Sequence, residues 1–139
     1  MCIRDSNQLG RRARVMHELG RVQLKLSHYG EAEELFNQAY KTTLALSERN
    51  TSSPNMIFEH GQSAYWLGYT HWQLEDFDQA EFYFIKYRDL SLQLTEFDSN
   101  NIDWQRELAY AETNLGILFR RDTTRRQETS EIFLSLIHI

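Results

Sequence analysis

The pair Leu-Gly recurs at Leu19-Gly20, Leu67-Gly68 and Leu115-Gly116, stepping by 48 residues each time. A second set of residues keeps the same step: Tyr29 is followed by Phe77, Ala32 by Ala80 and Phe36 by Phe84. This double periodicity restricts the chain to a repeating architecture, because each unit must bury the same face in the same way. The surrounding residues are rich in Ala, Leu, Glu, Gln and Arg and show little two-residue alternation, so both halves of each unit read as helix. A glycine inside a helix costs about 1 kcal/mol relative to alanine. Its recurrence three times in one register therefore requires close approach by a neighbouring helix. The second helix of each unit supplies the partner, with Ala32, Leu35, Phe36 and Ala39, then Ala80, Tyr83, Phe84 and Tyr87, at the spacing of one apolar helix face.

Turn chemistry places the boundaries. Ser53-Pro54 reads as a helix cap followed by the first helical residue, and Asn101 stands one period later. Asp76 with Gln79, Thr124 with Gln127 and, less well, His28 with Glu31 make capping-box patterns before the second helices. Helices are predicted near 7–27, 29–49, 54–74, 77–97, 102–121 and 125–133, in units of about 7–52, 53–100 and 101–133. In the third unit, shifting the register by one residue brings Thr129, Ile132 and Phe133 into line with Ala32, Leu35 and Phe36.

The ends read differently. Met1–Ser6 can be encoded as ATG TGT ATA AGA GAC AGC, whose other strand reads Leu-Ser-Leu-Ile-His, the sequence of Leu134–His138. Residues 1–6 and 134–139 are therefore expected to be translated adapter DNA flanking a fragment, 7–133, of a longer protein. Cys2 then lies outside the natural segment, which removes disulfides, thiolate catalysis and cysteine metal sites from it.

These residues resemble the tetratricopeptide repeat. Tyr29-Gly-Glu-Ala32-Glu-Glu-Leu-Phe36-Asn-Gln-Ala39 carries that family's second-helix pattern, and Phe77-Asp-Gln-Ala80-Glu-Phe-Tyr-Phe84-Ile-Lys-Tyr87 departs from it only in its last small position. Gly20, Gly68 and Gly116, each after its leucine, stand for the first-helix pattern. The ordinary repeat has 34 residues, so these units need longer helices or longer turns. The stretch Asn101–Gly116 is similar to long-repeat arrays of bacterial signalling proteins, where an effector domain often precedes the array. The resemblance implies an all-α, right-handed α-solenoid of stacked antiparallel helix hairpins, with about 2.5–3 units. It also implies a non-catalytic interaction scaffold, marginal in stability at that length.

In such a stack the first helices line a concave groove. By register, Arg14, His17, Arg21 and Lys25 line it from the first unit, and Gln62, Tyr65, Tyr69, Trp72 and Gln73 from the second. The third unit contributes Tyr110, Thr113, Ile117, Arg120 and Arg121. The groove is expected to be basic at both ends and aromatic in the middle. The acidic residues Glu31, Glu33, Glu34, Asp76, Asp78 and Glu81 lie on the second helices, so a chain of net charge −5 can still present a positive groove. Tyr, Trp and Arg suit binding hot spots, and a peptide or protein with acidic and apolar side chains is the expected partner. Where some tetratricopeptide domains clamp a terminal carboxylate with Lys and Asn, this chain has His17, Arg21 and Trp66, and only Asn114 matches. That departure argues against binding of chaperone tails.

Other functions are less well served. No phosphate loop, nucleophile elbow or zinc-protease motif is present, and the histidines His17, His28, His60 and His71 are dispersed, so no enzyme activity, metal or cofactor is expected. Net acidity disfavours nucleic acid, despite Arg11-Arg12-Ala-Arg14, Arg120-Arg121 and Arg125-Arg126. Tyr83, Phe84, Tyr87 and Leu90 offer an alternative homo-oligomer surface. No apolar run approaches the ~20 residues of a membrane span, and a cytoplasmic setting is expected.

Overall fold

The computed structural model describes residues 3–49 and 53–137, with side chains at 7–49, 53–121 and 127. Five helices follow one another: α1 (Ile3–Lys25), α2 (Tyr29–Arg49), α3 (Pro54–Gln73), α4 (Phe77–Phe97) and α5 (Ile102–Ile137). Each packs on the next, and α1 also touches α3, which makes a stack of hairpins. No strand occurs among the described residues. The long period is absorbed by the helices, since α1 to α4 run 20 to 23 residues each.

The repeated glycines sit where the register puts them. A β-carbon on Gly20 would overlap the Phe36 ring, and one on Gly68 would lie 2.6 Å from Cδ1 and Cε1 of Phe84. Both phenylalanines are buried, together with Ala32, Ala39 and Ala80. Within each hairpin, glycine thus lets the ring reach the helix backbone, and the small alanines let the two helices run close beside it. Leu67 packs with Ala32 and Phe36 of the preceding unit, which ties the second hairpin to the first. Tyr29 and Phe77, at matching positions, are half-buried at the starts of α2 and α4.

The two hairpin turns are alike in detail. Ser27 and Glu75, one period apart, are the two non-glycine residues with positive φ among those described, at 60° and 59°. In each turn the following amide reaches back five residues, His28 N to the Gln23 carbonyl at 2.8 Å and Asp76 N to the His71 carbonyl at 2.9 Å. These are Schellman closures made without glycine. The capping expectations are met less evenly. Ser53 and Asp76 occupy cap positions without a side-chain capping bond, whereas Asn101 accepts the Trp104 amide at 3.2 Å.

Three expectations are corrected. The helices foreseen at 102–121 and 125–133 are one continuous α5, and Thr124 lies inside it. The position matching Ser27 and Glu75 is Thr123, and a β-branched residue pays heavily for positive φ. With no Gly or Pro nearby, the helix simply continues. Leu19 is 50% exposed rather than part of the core, because its equivalent Leu67 packs on a preceding hairpin that α1 does not have. Gly116 is exposed and nothing lies within 4 Å of a β-carbon there, while Leu115 packs with Ala80, Phe84 and Leu118.

Replacing Gly68 by leucine should overpack the α3–α4 crossing and cost about 1–3 kcal/mol. Gly30→Ala, which meets no atom within 4 Å, should not lower stability. Thermal denaturation of the two variants beside the wild type checks both.

Candidate functional site

The groove is built on α3. Its residues Tyr65, Trp66 and Tyr69 form an aromatic floor, with Tyr65 edge-on to Trp66 at 4.9 Å and Tyr69 edge-on to Trp66 at 6.1 Å between centroids. From beneath, Phe36 stacks on Trp66 at 5.8 Å, so the same ring that fills the Gly20 contact also supports the floor. Burial pushes the Tyr65 hydroxyl above its usual pKa, with smaller contributions from Tyr69 and Glu107, so it remains a neutral donor.

Three adjoining clefts surround this floor. One, of about 340 Å³, lies between α1 and α3 and is lined by Arg21, Leu24, Lys25, Tyr29, Tyr65, Trp66, Tyr69 and Gln73. The Arg21 guanidinium stands 5.2 Å above the Trp66 ring, within cation–π range. It also pairs with Glu18 at 3.1 Å, an exposed bridge of small energetic weight. A second cleft, of about 300 Å³, shares Tyr65 and Trp66 and reaches Gln62, Tyr87, Glu107, Tyr110 and Asn114. The third, about 130 Å³, is largely apolar, between Tyr69, Trp72, Phe84, Asn114 and Ile117.

Charge is distributed unequally. Arg21 and Lys25 make the α1 side positive. On the α5 side, Glu107 accepts the Tyr87 hydroxyl and, at 3.2 Å, the Gln62 amide. Burial and that bond to Glu107 push the Tyr87 pKa up strongly. The expectation of a groove basic at both ends is therefore revised. Arg121 lies over the Phe77 ring at 4.1 Å rather than over the groove floor. Arg14 faces Glu59 at 3.9 Å, and burial outweighs Arg14 in holding the Glu59 pKa up.

His17 is not a groove residue. It is 6% exposed, and its Nε2 lies 2.7 Å from Ser63 Oγ. Thr43 Oγ1 donates to Ser63 Oγ at 3.0 Å or shares a bond with His60 Nδ1 at 2.9 Å. The reason lies in the stacking: the forward side of one first helix meets the backward side of the next. His17 thus meets Ser63, and one period later Tyr65 packs beside Ala111. Thr113, the next equivalent, is exposed and bonds the Ala109 carbonyl at 2.8 Å. Arg120 is exposed as well.

Gln62, Tyr65, Tyr69, Trp72, Gln73, Tyr110 and Ile117 join Arg21 and Lys25 around the clefts. Sequence register missed Trp66, Leu24, Glu107 and the groove side of Tyr87. Trp66 sits one turn from both Gln62 and Tyr69, a helical spacing that could have found it. Glu107 carried no such signal, because its role depends on the α4–α5 crossing. The surface of Tyr83, Phe84, Tyr87 and Leu90 is also corrected: Phe84, Tyr87 and Leu90 are buried against the chain's own helices, so the four do not form one exposed face for a second copy. Among the described residues, no three His, Cys, Asp or Glu are placed to hold a metal ion. No helix among them is long and apolar enough to cross a membrane.

Desolvation lowers the pKa of the buried His17 and His60 to about 4, Glu18 opposing it weakly at His17 and Lys86 adding to it at His60. The unfolded chain takes up protons near pH 6.5, before the folded one does. Stability should therefore be full above pH 6.5 and decline as pH falls toward 4, by up to about 3 kcal/mol per histidine. Urea denaturation between pH 7.5 and pH 4 (roughly the window set by these pKa values) checks this, and His60→Asn should flatten the decline.

Known proteins bear on this arrangement in one respect. The tetratricopeptide repeat family matches residues 13–43 and 61–90, the same 48 residues apart and centred on the two glycine-bearing hairpins. No curated protein matches the chain.

Proposed function

Because the chain carries tetratricopeptide repeats, which mediate protein–protein interaction, we propose that it grips an extended or helical peptide segment of a partner protein in the groove over α3. The observation that carries this reading is the cleft between α1 and α3, where two cations, Arg21 and Lys25, border an aromatic floor. A carboxylate of the peptide pairs with Arg21 or Lys25, since guanidinium and ammonium groups at the rim of an apolar surface select acidic groups. An apolar side chain next to it lies on Trp66 and Tyr69. The largely apolar third cleft takes a further apolar side chain. Glu107, on the far side, favours a hydrogen-bond donor on the peptide over a second acid.

This reading makes the segment a regulatory scaffold within a larger bacterial signalling protein. Its support is the long period and the similarity of Asn101–Gly116 to arrays of that kind. Catalysis, on this view, belongs to another domain.

A peptide array varying acidic and apolar positions would supply a ligand. Arg21→Ala with Lys25→Ala should then weaken it at least about tenfold and flatten the dependence of affinity on salt. Fluorescence anisotropy at several salt concentrations measures both. Unchanged affinity in the double variant would remove the groove from the account.

A further inference from the structure

Helix α1 carries two apolar faces, and only one of them is covered. On the covered face Gly20 meets Phe36, and Leu24 packs on the cluster of Ala32, Phe36 and Leu67. On the opposite face Val15, Leu19, Val22 and Leu26 stand between 49% and 57% exposed. Four large apolar side chains in one exposed row need a partner more than scattered ones do.

The register equivalents show what this face does elsewhere in the stack. Ser63, Leu67 and Thr70 on α3 are fully buried, with Leu67 on Ala32 and Phe36 of the preceding hairpin. On α5, Ala111 packs beside Tyr87, and Leu115 and Leu118 pack against Ala80 and Phe84. The row on α1 is therefore the stacking face of a first helix without its neighbour. Helices α2 and α4 of a second copy cannot cover it, because their Ala and Phe faces are already buried at their own crossings.

We propose that the row on α1 pairs with the same row on a second copy, the two α1 helices lying antiparallel. The steps from Val15 to Leu19, Val22 and Leu26 are 4, 3 and 4 residues, the spacing of a coiled-coil seam. That order reads the same in both directions. A twofold axis beside Gly20 and Arg21 thus sets Leu19 of each copy against Val22 of the other, and Val15 against Leu26, with no member left over. Charge selects the antiparallel sense. Glu18 and Lys25, both exposed, stand along one rim of the row. Antiparallel pairing brings Glu18 of each copy beside Lys25 of the other. Parallel pairing would set them against the opposite rim, where Met16 and Gln23 carry no charge. Exposed rim pairs fix orientation more than they add energy. Arg11 and Arg12, exposed beyond the start of the row, come beside the carbonyl end of the other α1, the negative end of its dipole. The contact is self-complementary, so it closes as a dimer and does not propagate. The axis runs across the seam and keeps each rim on its own side, so the clefts bordered by Lys25 open on the same side of the dimer.

Sedimentation equilibrium of the full chain, from about 1 µM to about 1 mM, tests the proposal. The wild type should pass from monomer to dimer. Leu19→Asp should raise the dimer dissociation constant at least about tenfold while helical circular dichroism stays unchanged. Glu18→Lys should raise it about threefold or more, and adding Lys25→Glu to it should restore the wild-type value. Ile102→Asp, at an equally exposed apolar position at the start of α5, should leave the dimer intact. A wild type monomeric throughout would overturn the proposal. Binding of a synthetic peptide of residues 29–49 to that monomer would then assign the face to a helix of another protein. A dimer indifferent to Leu19→Asp would overturn it too, and a charge swap no tighter than Glu18→Lys alone would overturn the antiparallel pairing.

Discussion

The contact between a phenylalanine ring and a glycine backbone governs this molecule. A helix presents side chains at every position, so two helices ordinarily keep 8–10 Å between axes. Where one position carries only hydrogen, a ring from the neighbour can lie against the backbone itself. Phe36 does so at Gly20 and Phe84 at Gly68. Each contact fixes the rotation and the axial register of one hairpin, because moving either helix by a single residue would put a side chain in the path of the ring. Once the hairpins are fixed, the faces left for stacking are fixed with them.

Stacking then separates residues that are equivalent in sequence. The first helices meet through a forward side on one and a backward side on the next. His17 and Tyr65 hold the same position, yet one closes a hydrogen-bonded network with Ser63, Thr43 and His60 while the other packs by Ala111 and opens on two clefts. The network joins α1, α2 and α3 through hydrogen bonds between buried side chains, although His60 Nε2 has no partner, and it favours one arrangement of the hairpins over sliding alternatives. It also leaves the aromatic floor on α3 held from both sides, by Phe36 below Trp66 and by Tyr87 beside Tyr65 at 5.3 Å. A rigid floor loses little entropy when a ligand covers it.

The ends of the stack obey the same rules with a partner missing. Leu19 is half exposed for the reason that Leu67 is buried, and Gly116 is open for the reason that Gly68 is covered. The backbone at one residue decides the second case. Ser27 and Glu75 accept a left-handed conformation at a modest energetic cost, whereas Thr123 stands where the chain would have to turn a third time and α5 runs straight through it.

Much of this was legible in the sequence. The repeated Leu-Gly pair, the Ala and Phe stripe and the Ser-Pro and Asn caps determined the helix type, the extents of α2, α3 and α4, and the pairing of Gly20 with Phe36 and Gly68 with Phe84, whereas α1 runs Ile3–Lys25 rather than the expected 7–27. These features are local and periodic, and helical geometry converts them directly into faces. Tertiary structure alone decided which groove positions are lined and which are filled. His17 was drawn into the core, Arg121 onto Phe77, and Trp66 and Glu107 were brought to the clefts by crossings between helices far apart in the chain. Periodicity assigns a residue to a side of its helix, but what stands opposite depends on the neighbouring unit, and that neighbour differs at each end of the stack.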